Sequence, residues 1–269
     1  MTVAVCTIVR GRQTHLRRLL EGLRRQTSPP DHVVVAWMGG PDPRPAVPTG
    51  MPVDVVDAAD PRTPLPLAAA RNAARRGAAD ADVLVFLDVD VIPSSTLVAD
   101  YARRCRTTGG LWSGQVDYLP EGVPADDAWT EAQLDVAAAP HPARTPPPAD
   151  TRLGDPDLFW SLSFAMRAVD YDCLGGFDET FVGYGGEDTD FGRRADAAGL
   201  TLWRTPAARG WHQHHESTSP PVQHVHDIVG NAHTFHRRWG EWPMRGWLEA
   251  FHDQERVLFR PEDGILEAR

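Results

Sequence analysis

The chain has 269 residues, 42% of them hydrophobic, and a formal net charge of −10; that is enough for one large α/β domain or two small ones and disfavours a general nucleic-acid binder. Its 27 basic residues are all arginine, which excludes a Walker P-loop, a pyridoxal Schiff base and a lysine nucleophile and leaves phosphate recognition to arginine, backbone amides or a cation. No apolar run reaches the roughly 18 residues of a membrane span, and the N-terminus reads as a strand without the basic region of a secretory signal. Cys6, Cys105 and Cys173 are far apart and form no CxxC pair, so they read as small buried hydrophobes in a reduced, cytoplasmic compartment.

Residues 3–9 form a short β-branched run, after which Leu16, Leu19, Leu20 and Leu23 recur at helical spacing. Residues 32–37 and 53–57 read as the second and third strands, residues 65–79 as an alanine-rich helix, and 83–88 as a fourth, buried strand. Ser94 or Ser95 is positioned to cap the next helix, whose apolar face carries Leu97, Val98, Tyr101 and Cys105. Strands alternating with helices predict a mostly parallel sheet covered on both faces, with ligands beyond the carboxyl ends of its strands. Further on, residues 111–118 and 158–166 look like strands, and the Pro- and Ala-rich stretch 137–156 between them like a surface loop or lid. Phe191, Ala195 and Ala198 mark a helix after a glycine-rich loop, and residues 201–205 a short strand. Val222, Val225, Val229, Ala232, Phe235 and Trp239 make a long amphipathic stripe, followed by an aromatic tail with Trp242, Trp247 and Phe251. These signals divide the chain into residues 1–217, with a donor half to about 110 and an acceptor half from 111, and a helical extension over 218–269.

Three clusters carry chemistry. The buried strand ends on Asp88-Val89-Asp90, and Ile92-Pro93 suits a turn just beyond. An apolar strand cannot cheaply bury an unpaired carboxylate, so these acids suit a divalent cation that bridges phosphates. In Gly183-Tyr184-Gly185-Gly186-Glu187-Asp188-Thr189-Asp190 the glycines allow close backbone approach and the acids open a helix. There the helix dipole by itself lowers a carboxyl pKa, and an ionised carboxylate beside a bound hydroxyl can act as general base. Asp190 reads as a helix cap, while Glu187 and Asp188 read as functional. In Trp211-His212-Gln213-His214-His215, residues two apart share a face of an extended chain, so His212 and His214 could both turn inward toward a metal. His224, His226, His233 and His236 read as surface or packing residues. After the first strand, Thr7, Arg10 and Arg12 lie at its carboxyl end, and Arg71-Asn72 could add to a phosphate or base lining. The string Asp88-Val89-Asp90-Val91-Ile92 also nearly matches the nucleophile motif of haloacid-dehalogenase phosphohydrolases, but that chemistry needs a later lysine and the chain has none.

Together these segments resemble the GT-A glycosyltransferases of the family-2 type, with a C-terminal half similar to the β-1,4-galactosyltransferases. The resemblance covers about residues 3 to 215. It is carried by Arg10-Gly11-Arg12-Gln13-Thr14-His15-Leu16, Phe86-Leu87-Asp88-Val89-Asp90-Val91-Ile92-Pro93, Gly175-Gly176-Phe177-Asp178, the glycine-rich acid segment and the histidine cluster. The implied fold is GT-A: a Rossmann-like, mixed and mostly parallel sheet flanked by helices. The implied enzyme moves a sugar from a nucleotide-diphosphate donor, a UDP-sugar first, to an acceptor hydroxyl with Mn2+ or Mg2+. In it Asp90 ligates the metal with His212 or His214, Asp88 orients it or meets the ribose, Asp188 is the base and Glu187 orients the acceptor. Thr7, Arg10, Arg12, Arg71, Val89, Tyr184 and Gly186 line the donor, with Tyr184 in place of a tryptophan. Retaining polypeptide GalNAc-transferases have Glu-Asn where this chain has Glu187-Asp188, so the acid here implies inversion. The chain departs from the pattern at Val35-Ala36-Trp37-Met38, where family-2 members hold uracil with an acid; Asp57 or Asp60 stands nearby as a substitute. Phe159-Trp160-Ser161 replaces the galactosyltransferases' glycine pair near the acceptor, so the acceptor is not theirs. A phosphohydrolase and a catalytically silent sugar-binding module are the rival classes.

Overall fold

A computed structural model of the protein describes residues 1–60 and 65–269. The first part of the chain alternates as its sequence pattern predicts: β1 (Val3–Val9), α1 (Gln13–Arg24), β2 (His32–Trp37), β3 (Asp54–Asp57), α2 (Leu67–Gly77) and β4 (Val83–Leu87), then β5 (Val91–Pro93) and α3 (Leu97–Thr107). Side chains of a strand alternate between faces. In β1, Val3, Val5 and Val9 therefore pack with the α1 leucines and with Leu97, Val98 and Tyr101 of α3. Ala4, Cys6 and Ile8 face the opposite way, against Ala68, Ala70 and Ala74 of α2.

The middle of the chain supplies β6 (Leu111–Tyr118), α4 (Glu131–Ala137), the two-residue strands β7 (Ala139–Pro140) and β8 (Thr151–Arg152), β9 (Ser163–Arg167), α5 (Ala168–Cys173), α6 (Glu187–Ala197) and β10 (Leu202–His212). One mixed sheet results, in the order β3-β2-β1-β4-β9-β6-β10-β5, with β7 pairing β6 and β8 pairing β10. Its two longest ladders, β1 with β2 and β6 with β10, are parallel. This is the kind of mixed, helix-flanked sheet that the sequence implied.

Several details differ from the sequence expectation. Ile92-Pro93 is not a turn but part of β5, which pairs antiparallel with β10. Neither Ser94 nor Ser95 caps α3, whose first flanking residue, Thr96, makes no side-chain cap. The 137–156 stretch is no free lid: β7 and β8 tie it to the sheet, and the Asp150 carboxylate accepts from Arg104 at 3.0 Å and from Thr205 Oγ1 at 2.6 Å. Cys6 and Cys105 are buried, but Cys173 is exposed, at the end of the short α5.

The C-terminal extension is not purely helical. α7 (Val225–Trp239) and α8 (Arg245–Asp253) are followed by the hairpin β11 (Val257–Arg260) and β12 (Ile265–Ala268). The four elements share a small core of their own that includes Ile228, Ala232, Leu248, Phe251 and Val257. Asp190 fixes this body to the main domain. It is fully buried and accepts from Arg194 of its own helix at 2.7 Å, from Arg238 at 2.6 Å and from the Trp239 indole at 3.0 Å. Its role is therefore an ion-pair hub joining α6 to α7, not the helix cap read from sequence.

Candidate active site

β4 stops at Leu87 because the next residues are acids, and the Val91 N–H donates to the Asp88 carbonyl at 2.9 Å to close a turn. β5 then runs beside the end of β10, with His212 opposite Val91. The Gln213 N–H donates to the Asp90 carbonyl at 2.7 Å. This pairing carries the histidine segment past Asp90. His212 Nε2 lies 3.6 Å from Asp90 Oδ1 and His215 Nε2 lies 3.4 Å from Asp90 Oδ2. Arg12, left-handed at the start of α1, donates to Asp90 Oδ2.

The expected pairing of His212 with His214 fails. Strand alternation ends with β10 at His212; the buried Gln213 turns inward, His214 is exposed, and His215 swings back. His15 of α1 holds this turn by donating from Nε2 to the His214 carbonyl at 3.1 Å. Asp90, His212 and His215 each offer one ligand atom, all within 4.8 Å of one another. Asp90 Oδ1 is buried without a hydrogen-bond partner, a costly state that a cation would relieve. The mixed oxygen and imidazole donors suit Mn2+ or a similar divalent ion, so the residues fit one. Burial alone would raise the Asp90 carboxyl, but His212, His215 and Arg12 outweigh it and hold it below the usual carboxylate range. Burial lowers His212, whereas the bond to Asp90 raises His215.

The second acid pair sits opposite, at the start of α6. Gly186, with φ 89°, turns the chain into that helix. Arg71, expected to line a phosphate or base, is instead buried in α2. It donates to Glu187 Oε1 at 3.1 Å and to Asp88 Oδ1 at 3.3 Å, so it ties the acids at 187–188 to the turn at 88–90. Glu187 Oε2 is buried and unpartnered. Asp188 is half-buried and accepts from the Thr189 N–H at 2.8 Å. Burial raises both carboxyls, Glu187 further through the Asp188 charge, while Arg71 acts against the rise. The helix dipole was expected to lower them; desolvation wins. Asp88 is pushed up to about 7, by burial first and then by the Asp90 charge, with Arg71 opposing.

The glycine-rich loop is shaped by the extension, which the sequence reading left out of the site. Asn231 of α7 accepts from the Val182 N–H at 3.1 Å and donates to the Gly185 carbonyl at 2.8 Å. Asp227 accepts from the Tyr184 N–H at 3.3 Å. Tyr184 stacks on His224, ring centroids 4.7 Å apart, and burial with the nearby acids pushes its hydroxyl up to about 12. A Cβ at Gly183 would fall 2.3 Å from the Asp227 carboxylate, and its φ is 77°; only glycine fits. The signal for Asn231 was in the sequence: a polar residue among Val229, Ala232 and Phe235 on an apolar stripe.

The other residues expected to line a donor divide. Thr7 is buried at the end of β1 with Oγ1 unpartnered, and Arg10 is exposed in the turn after it. The Val89 side chain is packed into the core, so only its backbone can meet a ligand. Arg144, unremarked in the sequence, and Trp160, read there within the segment that replaces the glycine pair near the acceptor, stand on the Asp188 side. The Ser161 backbone, next to Trp160, helps hold the Asp188 carboxyl down, as does the Arg144 charge.

Residues 150–217 match the family model described as the N-terminal domain of galactosyltransferase. Over 80 residues the chain is 35% identical to a validoxylamine A glucosyltransferase of Streptomyces hygroscopicus subsp. jinggangensis (strain 5008), a stretch that is 30% of this chain and 18% of that relative. The match thus spans under a fifth of the relative's length. Among solved structures, GalNAc-T7 with UDP, GalNAc and Mn2+ superposes with a TM-score of 0.60 at 17% identity, covering 86% of this chain and 47% of the other. The mannosyltransferase PcManGT from Pyrobaculum calidifontis in complex with GDP-Man and Mn2+ gives 0.60 at 17%, covering 94% and 68%. S. aureus TarS 1-349 gives 0.57 at 14%, covering 89% and 72%. At these identities the likeness is one of fold, that of the GT-A glycosyltransferases. Among the described residues no helix is long and apolar enough to cross a membrane.

Proposed function

We propose that this chain transfers a sugar from a nucleotide-diphosphate donor to an acceptor hydroxyl, with inversion, in a metal-dependent reaction of the family-2 type. The observation that carries this reading is the linkage of two unlike acidic clusters: Asp90 with His212 and His215, and Glu187 with Asp188, joined through Asp88 and the buried Arg71. Two solved structures of the same fold, one with UDP, GalNAc and Mn2+ and one with GDP-Man and Mn2+, support it, as does the galactosyltransferase-type match over 150–217.

In this mechanism Asp188 takes the proton of the acceptor hydroxyl while its oxygen attacks the anomeric carbon and the bond to the diphosphate breaks. A raised pKa makes Asp188 a stronger base once it is ionised. Glu187 orients the acceptor. A divalent cation held by Asp90, His212 and His215 would offset charge on the departing diphosphate. Arg12, now on Asp90, is the guanidinium best situated to move onto a phosphate oxygen, and Asp88, partly open at 29% side-chain exposure, is left to meet the ribose or orient the cation. UDP-sugars are the first donors to test.

A thermal-shift screen of UDP- and GDP-sugars with and without Mn2+ tests the reading. Ligands that bind only the native state raise its apparent stability by mass action. At least one nucleotide sugar should raise Tm in Mn2+ and not in EDTA. Shifts indifferent to Mn2+ would remove the metal role. Turnover of simple phosphate esters without acceptor would instead make the chain a phosphohydrolase, and donor binding without turnover of any acceptor a silent binding module.

A further inference from the structure

Arginine in this acidic chain is nearly always spent on a carboxylate near the site: Arg12 on Asp90, Arg71 on Asp88 and Glu187, Arg209 on Asp117 and Asp135. Arg144 and Arg204 are exceptions. Among the described residues neither has a carboxylate within ion-pair distance, yet both line one narrow cleft with Tyr118 and Trp160. Arg144 donates to the Leu158 carbonyl and Arg204 to the Thr145 carbonyl at 2.7 Å, bonds that leave most of each guanidinium fork unused. The Arg144 guanidinium lies 4.0 Å above the Trp160 ring, and His141 stands edge-on to the same ring at 5.1 Å.

Two like charges beside each other are unfavourable without an anion between them. Burial and the Arg204 charge together lower the Arg144 pKa to about 10, while Asp188 acts the other way. Leu162, which also lines the cleft, accepts from the Asp88 N–H at 3.0 Å, and this ties the cleft to the acidic turn. Trp160 adjoins Ser161, whose backbone helps hold Asp188. The enclosed part of the cleft is only about 10 Å³, room for about one water, so a sugar cannot enter it and must lie at its mouth. Tyr118, stacked at 4.5 Å on His212, separates this mouth from the Asp90 cluster.

We propose that the acceptor bears an anionic group, a carboxylate or a phosphate, which Arg144 and Arg204 grip while its sugar ring lies against Trp160 and presents a hydroxyl to Asp188. This rests on the reading of Asp188 as the base. Charge-assisted, bidentate contacts to guanidinium are the strong class of hydrogen bond, and a tryptophan face suits the apolar side of a sugar. In a chain of net charge −10, two uncompensated arginines give the local attraction such an acceptor needs.

The test is calorimetric titration of glucuronate, inorganic phosphate and neutral glucose into the protein alone and into protein saturated with UDP and Mg2+, so that the diphosphate site is filled. At least one anion should bind about tenfold or more tighter than glucose, as expected for one hydrogen bond to a charged group. The gap should vanish in the Arg144→Gln/Arg204→Gln double variant with UDP affinity unchanged. Preference for glucuronate assigns a carboxylate, and preference for phosphate a phosphoryl group. Equal binding of all three probes, or a gap that survives the double substitution, overturns the proposal. If the double variant does not fold, raising salt from about 50 to about 300 mM reads the same point on the unaltered protein, since contacts with an exposed ion pair weaken with screening; a gap indifferent to salt overturns it. Failure of both UDP and GDP to bind while the anion preference holds would sink the transferase reading and not the anion site.

Discussion

The two acidic regions of the cleft use the same residue type for opposite ends. At 88–90 the decisive carboxylate, Asp90, is buried among Arg12, His212 and His215 and is held ionised. At 187–188 the buried Glu187 and half-buried Asp188 share one cation, Arg71, with Arg144 adding a weaker influence on Asp188, and both are pushed toward the protonated form. Burial acts alike on both; the number of positive neighbours decides the direction. An acid held charged suits a cation ligand, and one raised toward neutrality suits a proton carrier, so the contrast supports the roles proposed for Asp90 and Asp188.

The sharpest way to break this contrast is Asp188→Asn. The amide keeps the shape and the contact with Thr189 but accepts no proton. Transfer should fall by about 10² to 10⁴-fold in kcat, the usual worth of a positioned general base, while UDP binding in Mn2+ stays intact. In the unaltered protein the acid limb of the rate profile should lie above the ordinary aspartate value, because burial raises Asp188. Near-normal turnover in the variant would take the base role from this residue.

Arg71→Leu tests the region between the clusters. Removing one partner of a buried ion pair leaves charge uncompensated and costs about 3 kcal/mol or more. The sign with pH follows from linkage. Without Arg71, Asp88 and Glu187 rise further above their unfolded values, so the native state binds protons more tightly and loses stability as pH rises. Asp88 already titrates near 7, so the deficit in chemical denaturation should be largest above pH 7 and shrink below it. A deficit that does not change with pH would make Arg71 a packing residue only.

How much of this was legible in the sequence follows the same division. β1 and β2 could be read to the residue because β-branched runs buried on both faces leave little choice of state. The strand expected over 201–205 stops short of Pro206 and two alanines. The strand in fact passes a register shift between Thr205 and Arg209 and runs on to His212, and proline is tolerated at such irregularities. α4 was missed inside Pro-rich surroundings, although Thr130 and Gln133 form a capping box that marks its start. The hairpin β11–β12 carried its own signal in the alternation around Pro261-Glu262-Asp263-Gly264. The two acid pairs, at 88–90 and 187–188, were legible from residue type and order. The Arg71 bridge, the Asn231 brace and the choice of histidine were not, since each depends on which elements meet in space.

That choice of histidine gives the finest test. His215→Ala and His214→Ala, compared side by side, differ only in which imidazole of one turn is lost. His215 lies beside Asp90 and His214 is exposed, with only its carbonyl held, by His15. Loss of a mere supporting partner of a metal site costs about tenfold or more in metal affinity, and loss of a ligand should cost at least that. Mn2+ affinity, measured by calorimetry in the presence of UDP, should therefore drop at least about tenfold in His215→Ala and stay within twofold or so of the parent in His214→Ala, because alanine keeps the backbone carbonyl that His15 grips. Strand periodicity alone makes the reverse prediction, with His214 on the same face as His212. A larger loss at His214 would therefore mean that the turn after β10 reorganises around the ion, and that the alternation read from sequence describes the loaded site better than the geometry at Gln213 does.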